Sequence, residues 1–234
     1  MKKQLCLTAD IGGTNTRVAL FDNEKLLESS CVTYSNNEYD SFETIIKNYL
    51  DLVSESSVKF AGIAAAGPIQ EKSAKMTNLS WSLTERSIAS ITGAEQVGII
   101  NDLQAQGYGL TSLDKADLEP VTVGSQSANS NATRLVCGIG TGFNAAPVFN
   151  VGHKIFVPPS EAGHSQLSLT DKNYQPVFAK IGSEGSFVSV EDILSGRGLE
   201  NVGRALTGND ETAAQIMQKA SQGDENSKKV AHLL

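Results

Sequence analysis

Cysteine is scarce: Cys6, Cys31 and Cys137 stand singly within apolar segments of a 234-residue chain. That spacing excludes a disulfide framework and the paired ligands of a zinc site, so all three are expected to be buried packing residues. Basic charge is also short. The formal net charge is −7 and no cluster of Lys or Arg occurs, which argues against a nucleic-acid surface. Any anionic ligand would have to be held by backbone donors and a metal. Long apolar runs are missing too, so no bilayer span is expected. Met1-Lys2-Lys3-Gln4 runs straight into a strand rather than into a signal-peptide core, which makes the cytoplasm the default location. What remains is a chain with 40% hydrophobic residues, enough for a sizeable core in one large domain or two moderate ones.

The most informative segment is Asp10-Ile11-Gly12-Gly13-Thr14-Asn15, which lies between the apolar runs Leu5–Ala9 and Arg17–Phe21. The glycines therefore sit at the tip of a strand-turn-strand unit. Adjacent glycines admit positive φ and expose successive N–H groups, the requirements of an anion-binding nest. Asp10, at the strand end, could hold a magnesium ion facing bound phosphates. The pattern recurs more than a hundred residues later, where Arg134–Cys137 leads into Gly138-Ile139-Gly140-Thr141-Gly142-Phe143-Asn144 and out through Ala145–Phe149. One glycine hairpin is commonly structural. Two matched hairpins imply two similar half-molecules, each offering one turn to a polyphosphate.

Between them, strands alternate with helices, which gives an α/β fold. Ser30–Tyr34 reads as a strand, and Ser41 caps a helix whose apolar residues Phe42, Ile45, Ile46, Tyr49, Leu50 and Val53 recur at helical spacing. Val58–Ala66 has the small-apolar character of a strand covered on both faces. A helix over Thr84–Ile91 stops at Gly93, and Val97–Ile100 forms the next strand. The stretch Gly124–Asn131 is rich in loop residues and lacks periodicity. Placing the boundary shortly before it divides the chain into a smaller N-terminal α/β domain, residues 1–112, and a larger C-terminal one, residues 113–234.

Asn101-Asp102 follows a strand directly, at the kind of strand end where ligands collect in open α/β sheets. Asp102 is either the N-cap of a helix over Leu103–Leu110 or a general base reaching a substrate hydroxyl. Glu161 and His164, three residues apart in a Pro-rich turn, read as solvent-exposed loop chemistry or as ligands. Glu191 opens a helix expected behind the cap Ser189, where an acid commonly only complements the helix dipole. His153 and His232 are assigned no role.

Six segments, in order, resemble the bacterial ATP-dependent glucokinases: Asp10–Arg17, Met76-Thr77-Asn78-Leu79-Ser80-Trp81, Ile99–Asp102, Gly140-Thr141-Gly142, Glu161-Ala162-Gly163-His164 and Glu191–Gly196. The zinc-binding cysteine cluster of the related repressor and sugar-kinase group is absent. The resemblance implies two actin/hexokinase-like, ribonuclease H-like halves with mixed sheets, ATP and Mg²⁺ as cofactors, and glucose phosphorylated on its 6-hydroxyl. Under it, Asp102 is the catalytic base, while Asn78, Asn101, Glu161, His164 and Glu191 hold sugar hydroxyls. Asp10, Ile11, Gly12, Gly13, Thr14 and Asn15, with Gly140, Thr141 and Gly142, face the phosphates, and Asp10 is the magnesium-side carboxylate acting through water. A homodimer stays open. Trp81 lies in the sugar-pocket loop, although its ring suits the core.

Two departures qualify the match. The second hairpin carries Phe143-Asn144 where the family has a small apolar residue and another glycine, and Asn is expected to take the turn because it tolerates positive φ. Lys228–Leu234 reads as a helix cut short with an unburied apolar face, so the C-terminal part, including the family's adenosine-holding turn, is expected to be missing. A sugar-binding module without turnover and a kinase of another hexose are the alternatives.

Overall fold

A computed structural model of the chain describes residues 4–55, 57–76, 79–121, 132–152, 154–168, 172, 174–182 and 187–232. Asn78, the loop expected at 124–131, His153 and the final two residues lie outside the described residues. Two units are distinguished, Met1–Gly109 and Leu110–Leu234.

In the first unit, β1 (Leu5–Ile11) buries Leu5, Leu7, Ala9 and Ile11 on one face, the period of two that a half-covered strand requires. It pairs antiparallel with β2 (Asn15–Asp22) from Leu5↔Asp22 to Ile11↔Thr16. The far side of β2 carries β3 (Lys25–Leu26) and β4 (Val32–Ser35). The strand expected at Ser30–Tyr34 thus begins two residues late. Ser30 instead spends its hydroxyl on the chain, accepting from Leu20 N at 2.9 Å and donating to Leu27 O at 2.5 Å.

Helix α1 (Phe42–Leu52) is capped by the Ser41 hydroxyl, which accepts from Thr44 N, and buries Phe42, Ile45, Ile46, Tyr49 and Leu50. β5 (Phe60–Ala65) and β9 (Gln96–Asn101) extend the sheet parallel to β1, giving the order β3-β2-β1-β5-β9. Between them lie β6 (Ile69–Gln70), β7 (Ser73–Lys75) and β8 (Ser82–Thr84), a small antiparallel sheet. Helix α2 (Glu85–Thr92) follows, held by a Thr84/Ser87 capping box and ended by Gly93 at φ 66°. Helix α3 (Asp102–Gly109) leaves β9. Trp81 belongs to the core.

β5 is covered on one face only. Ala61, Ile63 and Ala65 are buried, whereas Gly62 and Ala64 look into an open cavity of about 620 Å³ shared with Thr8, Gly98, Ile100 and Tyr108. Small side chains on that face leave a shallow floor. Cys31 also lines this cavity and is exposed, as is Cys137; only Cys6 is partly buried. The expectation of three buried thiols fails because Cys31 stands at the sheet's open face and Cys137 points away from buried Val136 on its strand.

The second unit begins with the meander β10 (Arg134–Ile139), β11 (Phe143–Val151) and β12 (Lys154–Phe156). Among the described residues four α-helices follow: α4 (Gln175–Ile181), α5 (Gly196–Thr207), α6 (Ala213–Ser221) and α7 (Glu225–Ala231). Their core comprises Val177, Phe178, Ile193, Leu199, Val202, Ile216 and Val230. Val230 is 1% exposed and Asp224 caps the start of α7, so this helix packs on the core, while Leu233 and Leu234, which the expected unburied face included, lie outside the described residues.

The helix expected from Glu191 starts instead at Gly196. Ser189 and Asp192 do bond reciprocally, Asp192 Oδ2 accepting from Ser189 N at 2.9 Å and Asp192 N donating to Ser189 Oγ at 3.2 Å, but they close a single turn. Ser195 is the true cap. Its hydroxyl accepts from Gly198 N at 2.9 Å and donates to Glu191 O at 2.7 Å.

Candidate functional site

The parallel strands β1, β5 and β9 end together, with Ile11, Ala65 and Asn101 aligned across the sheet. Asp10, the Gly12–Asn15 turn, Asn101 and Asp102 therefore gather at one carboxyl edge of the first unit, the edge where open α/β sheets place ligands. Asn101 caps α3: its Oδ1 accepts from Leu103 N at 2.9 Å, and its backbone N–H donates to Gln104 Oε1 at 3.2 Å. The cap is thus Asn101, and Asp102 lies in the first helical turn, its Oδ1 accepting from Leu103 N at 2.8 Å. Burial pushes the Asp102 carboxyl above its ordinary range, against the bond from Leu103, and the nearby charge of Asp10 adds to the rise.

Asp10 is exposed and faces Arg17 at 3.9 Å, too open a pair to fix either side chain. Among the described residues no group of three His, Cys, Asp or Glu side chains forms a metal cluster. A lone exposed carboxylate beside a backbone turn fits Mg²⁺, which keeps much of its water shell and takes few protein ligands. The turn is braced from beneath. Asn36, 2% exposed, donates to Gly12 O at 2.9 Å, accepts from Thr16 Oγ1 at 2.7 Å, and donates its backbone N–H to Thr14 O at 2.8 Å.

In the second unit the Gly140–Gly142 hairpin meets Glu191. Its Oε2 accepts from Phe143 N at 2.8 Å, while its Oε1 pairs with Arg197 Nη2 at 2.8 Å, and Arg197 Nε donates to Thr141 O at 3.3 Å. Gly196 N donates to Gly140 O at 2.7 Å, so α5 starts against the hairpin. Glutamate 191 also donates its backbone N–H to Gly163 O at 2.9 Å, which brings the Glu161–His164 turn alongside. Glu161 and His164 are exposed. None of Gly12, Gly13, Gly140 and Gly142 takes positive φ. Space decides instead at Gly142, whose added Cβ would stand 2.5 Å from Glu191 Oε2.

Comparison with known proteins matches the family model described as Glucokinase over residues 7–233. The chain belongs to the glucokinase family. It is 32% identical to the glucokinase of Psychromonas ingrahamii over 215 residues, covering 92% of this chain and 66% of that protein, and 34% identical to that of Chromohalobacter salexigens over 204 residues, covering 85% and 62%. The chain thus spans just under two thirds of the length of these curated relatives. The crystal structure of a glucokinase from an Antarctic psychrotroph superimposes with a TM-score of 0.81 at 27% identity, over 97% of this chain and 74% of that one. The α/β fold expected from the sequence is therefore that of the glucokinases.

Three residues that brace the candidate site carry no signal in the sequence. Asn36 lies in a polar Ser-Asn-Asn run that looks like loop, and Arg197 sits between two glycines that look like a turn. Asn144 was expected to adopt positive φ in the hairpin; it is instead the second residue of β11 and uses its side chain as a bridge. No periodicity signals such roles, since each side chain reaches a partner far along the chain, Thr16 for Asn36, Thr141 for Arg197 and Ser160 for Asn144.

Proposed function

We propose that this protein transfers the γ-phosphoryl group of ATP to the 6-hydroxyl of glucose, giving glucose 6-phosphate and ADP. The observation that carries the reading is Asp102, a half-buried carboxyl raised above its ordinary range at the carboxyl edge of the sheet, with the capping duty taken by Asn101. A base for a hydroxyl must hold a proton better than an exposed carboxylate, and partial burial moves Asp102 in that direction. Asp102 accepts the O6 proton as that oxygen forms its bond to the γ-phosphorus; the bond to the bridging β,γ-oxygen breaks and ADP departs. Asn78, Asn101, Glu161, His164 and Glu191 hold the other hydroxyls, where carboxylates give the stronger, charge-assisted bonds.

The backbone of residues 11–15 and of Gly140–Gly142 lines the phosphates. Asp10 would hold Mg²⁺ through water, and the ion when bound neutralises phosphate charge. Cytoplasmic location is part of the reading; among the described residues no helix is long and apolar enough to cross a membrane. The test is a coupled ADP-release assay with glucose, other hexoses and no sugar. Glucose-dependent release supports the reading, release with a different hexose reassigns the substrate, and calorimetric glucose binding without release returns the protein to a sugar-binding module.

A further inference from the structure

The side chain of Asn144 makes three hydrogen bonds. Its Nδ2 donates to Ser160 O at 2.6 Å, and its Oδ1 accepts from Ala145 N and Ala162 N, both at 2.9 Å. Ser160 Oγ adds a bond to Ala145 O at 2.5 Å. One planar amide thus hangs the turn that carries Glu161 and His164 on the strand that leaves the Gly140–Gly142 hairpin. On the other flank Glu191 reaches the same two segments, by its N–H to Gly163 O and by its carboxylate to Phe143 N. Neither glycine nor alanine at position 144 could supply these bonds, and aspartate would turn an acceptor toward the Ser160 carbonyl.

We propose that Asn144 is a positioning residue that locks the Glu161–His164 turn to the Gly140–Gly142 hairpin, so that a sugar bound at the turn orders the backbone that receives phosphate. The inference rests on the kinase reading for its ligands, but the lock itself does not. A turn already fixed costs less to order on binding, and a rigid link passes that ordering to the hairpin.

Amide hydrogen exchange on the 234-residue chain tests the lock, comparing wild type, Asn144→Ala and Asn144→Asp with and without glucose. In Asn144→Ala the amides of Ala162 and Phe143 should exchange about tenfold faster, the effect of losing one partly buried hydrogen-bonded link, while α5 to α7 keep their rates. Asn144→Asp retains the acceptor for Ala162 N but sets an oxygen against Ser160 O, so exchange at Ala162 should be faster than in wild type and slower than in Asn144→Ala. Glucose should slow exchange at Phe143 in wild type and not in Asn144→Ala, and the alanine variant should bind glucose about tenfold more weakly. Unchanged exchange at Ala162 in Asn144→Ala, acceleration spread equally over α5 to α7, or glucose protection of Phe143 that survives the substitution would overturn the proposal. Should wild type bind no glucose, the kinase reading fails, and the ligand-free comparison still decides the lock.

Discussion

Replacing Gly163 with alanine tests how tightly the sugar-side turn seats on the hairpin. An added Cβ would fall well under 3.0 Å from the carbonyl oxygen of Phe143, a separation real Cβ atoms essentially never show, and 3.1 Å from its carbon. Both are backbone atoms of β11 and cannot rotate away. The turn must therefore lift, stretching Glu191 N to Gly163 O and Ala162 N to Asn144 Oδ1, each 2.9 Å. Overpacking costs about 1–3 kcal/mol and each weakened bond about 0.5–1.5 kcal/mol, so about 2–4 kcal/mol in sum once partial relaxation is allowed. For a chain of this length that lowers the melting temperature by at least about 4 °C. Thermal unfolding by circular dichroism measures it, with Gly140→Ala as control, because a Cβ there meets nothing within 4 Å. A Gly163→Ala protein melting within a degree of wild type, or a control that falls as far, would refute the packing argument.

Asn36→Ala should destabilise by about 1–3 kcal/mol, since it strands the Gly12 carbonyl and the fully buried Thr16 hydroxyl; urea unfolding measures this, and a loss below experimental error would contradict it. Turnover should fall with acid as Asp102 takes a proton, at a pH above that of an ordinary aspartate, and a pH–rate profile flat down through the ordinary aspartate range would exclude it as the base. The same carboxyl bears on stability with a definite sign. Its folded-state affinity for a proton exceeds its unfolded one, so folding is favoured below the unfolded value and weakened as pH rises through the folded one. Asp102→Asn, which resembles the protonated form, should accordingly be at least as stable as wild type at neutral pH and lose that advantage in acid. A marked neutral-pH destabilisation, seen by denaturant titration, would point to a structural role.

Local chemistry made much of the first unit legible. The Ser41 cap, the apolar face of α1, the Thr84 start and the Gly93 stop of α2 all depend on residues within a turn or two of each other. The two strand–glycine–strand hairpins were readable for the same reason. Errors arose where a distant partner decides. Ser189 and Asp192 imitate a helix start, yet Glu191 is drawn to Phe143, forty-eight positions away, and the helix waits for Ser195. The apolar string of β5 looked doubly covered, but which face of a strand is covered is set by its neighbours, and Gly62 and Ala64 floor an open cavity. The hairpin glycines were read as permitting positive φ, whereas at Gly142 the closeness of Glu191 matters. Of the candidate site residues, Asp10, residues 11–15, Asn101 and Asp102 cluster in the first unit, and Gly140–Gly142, Glu161, His164 and Glu191 cluster in the second.

Transfer of labelled γ-phosphate from ATP to glucose, measured on wild type and Asp102→Asn side by side, tests the assignment of Asp102 as base most directly. Wild type should yield labelled glucose 6-phosphate, and the variant a rate about 10²- to 10⁴-fold lower, the range for loss of a positioned base. Undiminished transfer by the variant, or no label in glucose from wild type, would contradict that assignment.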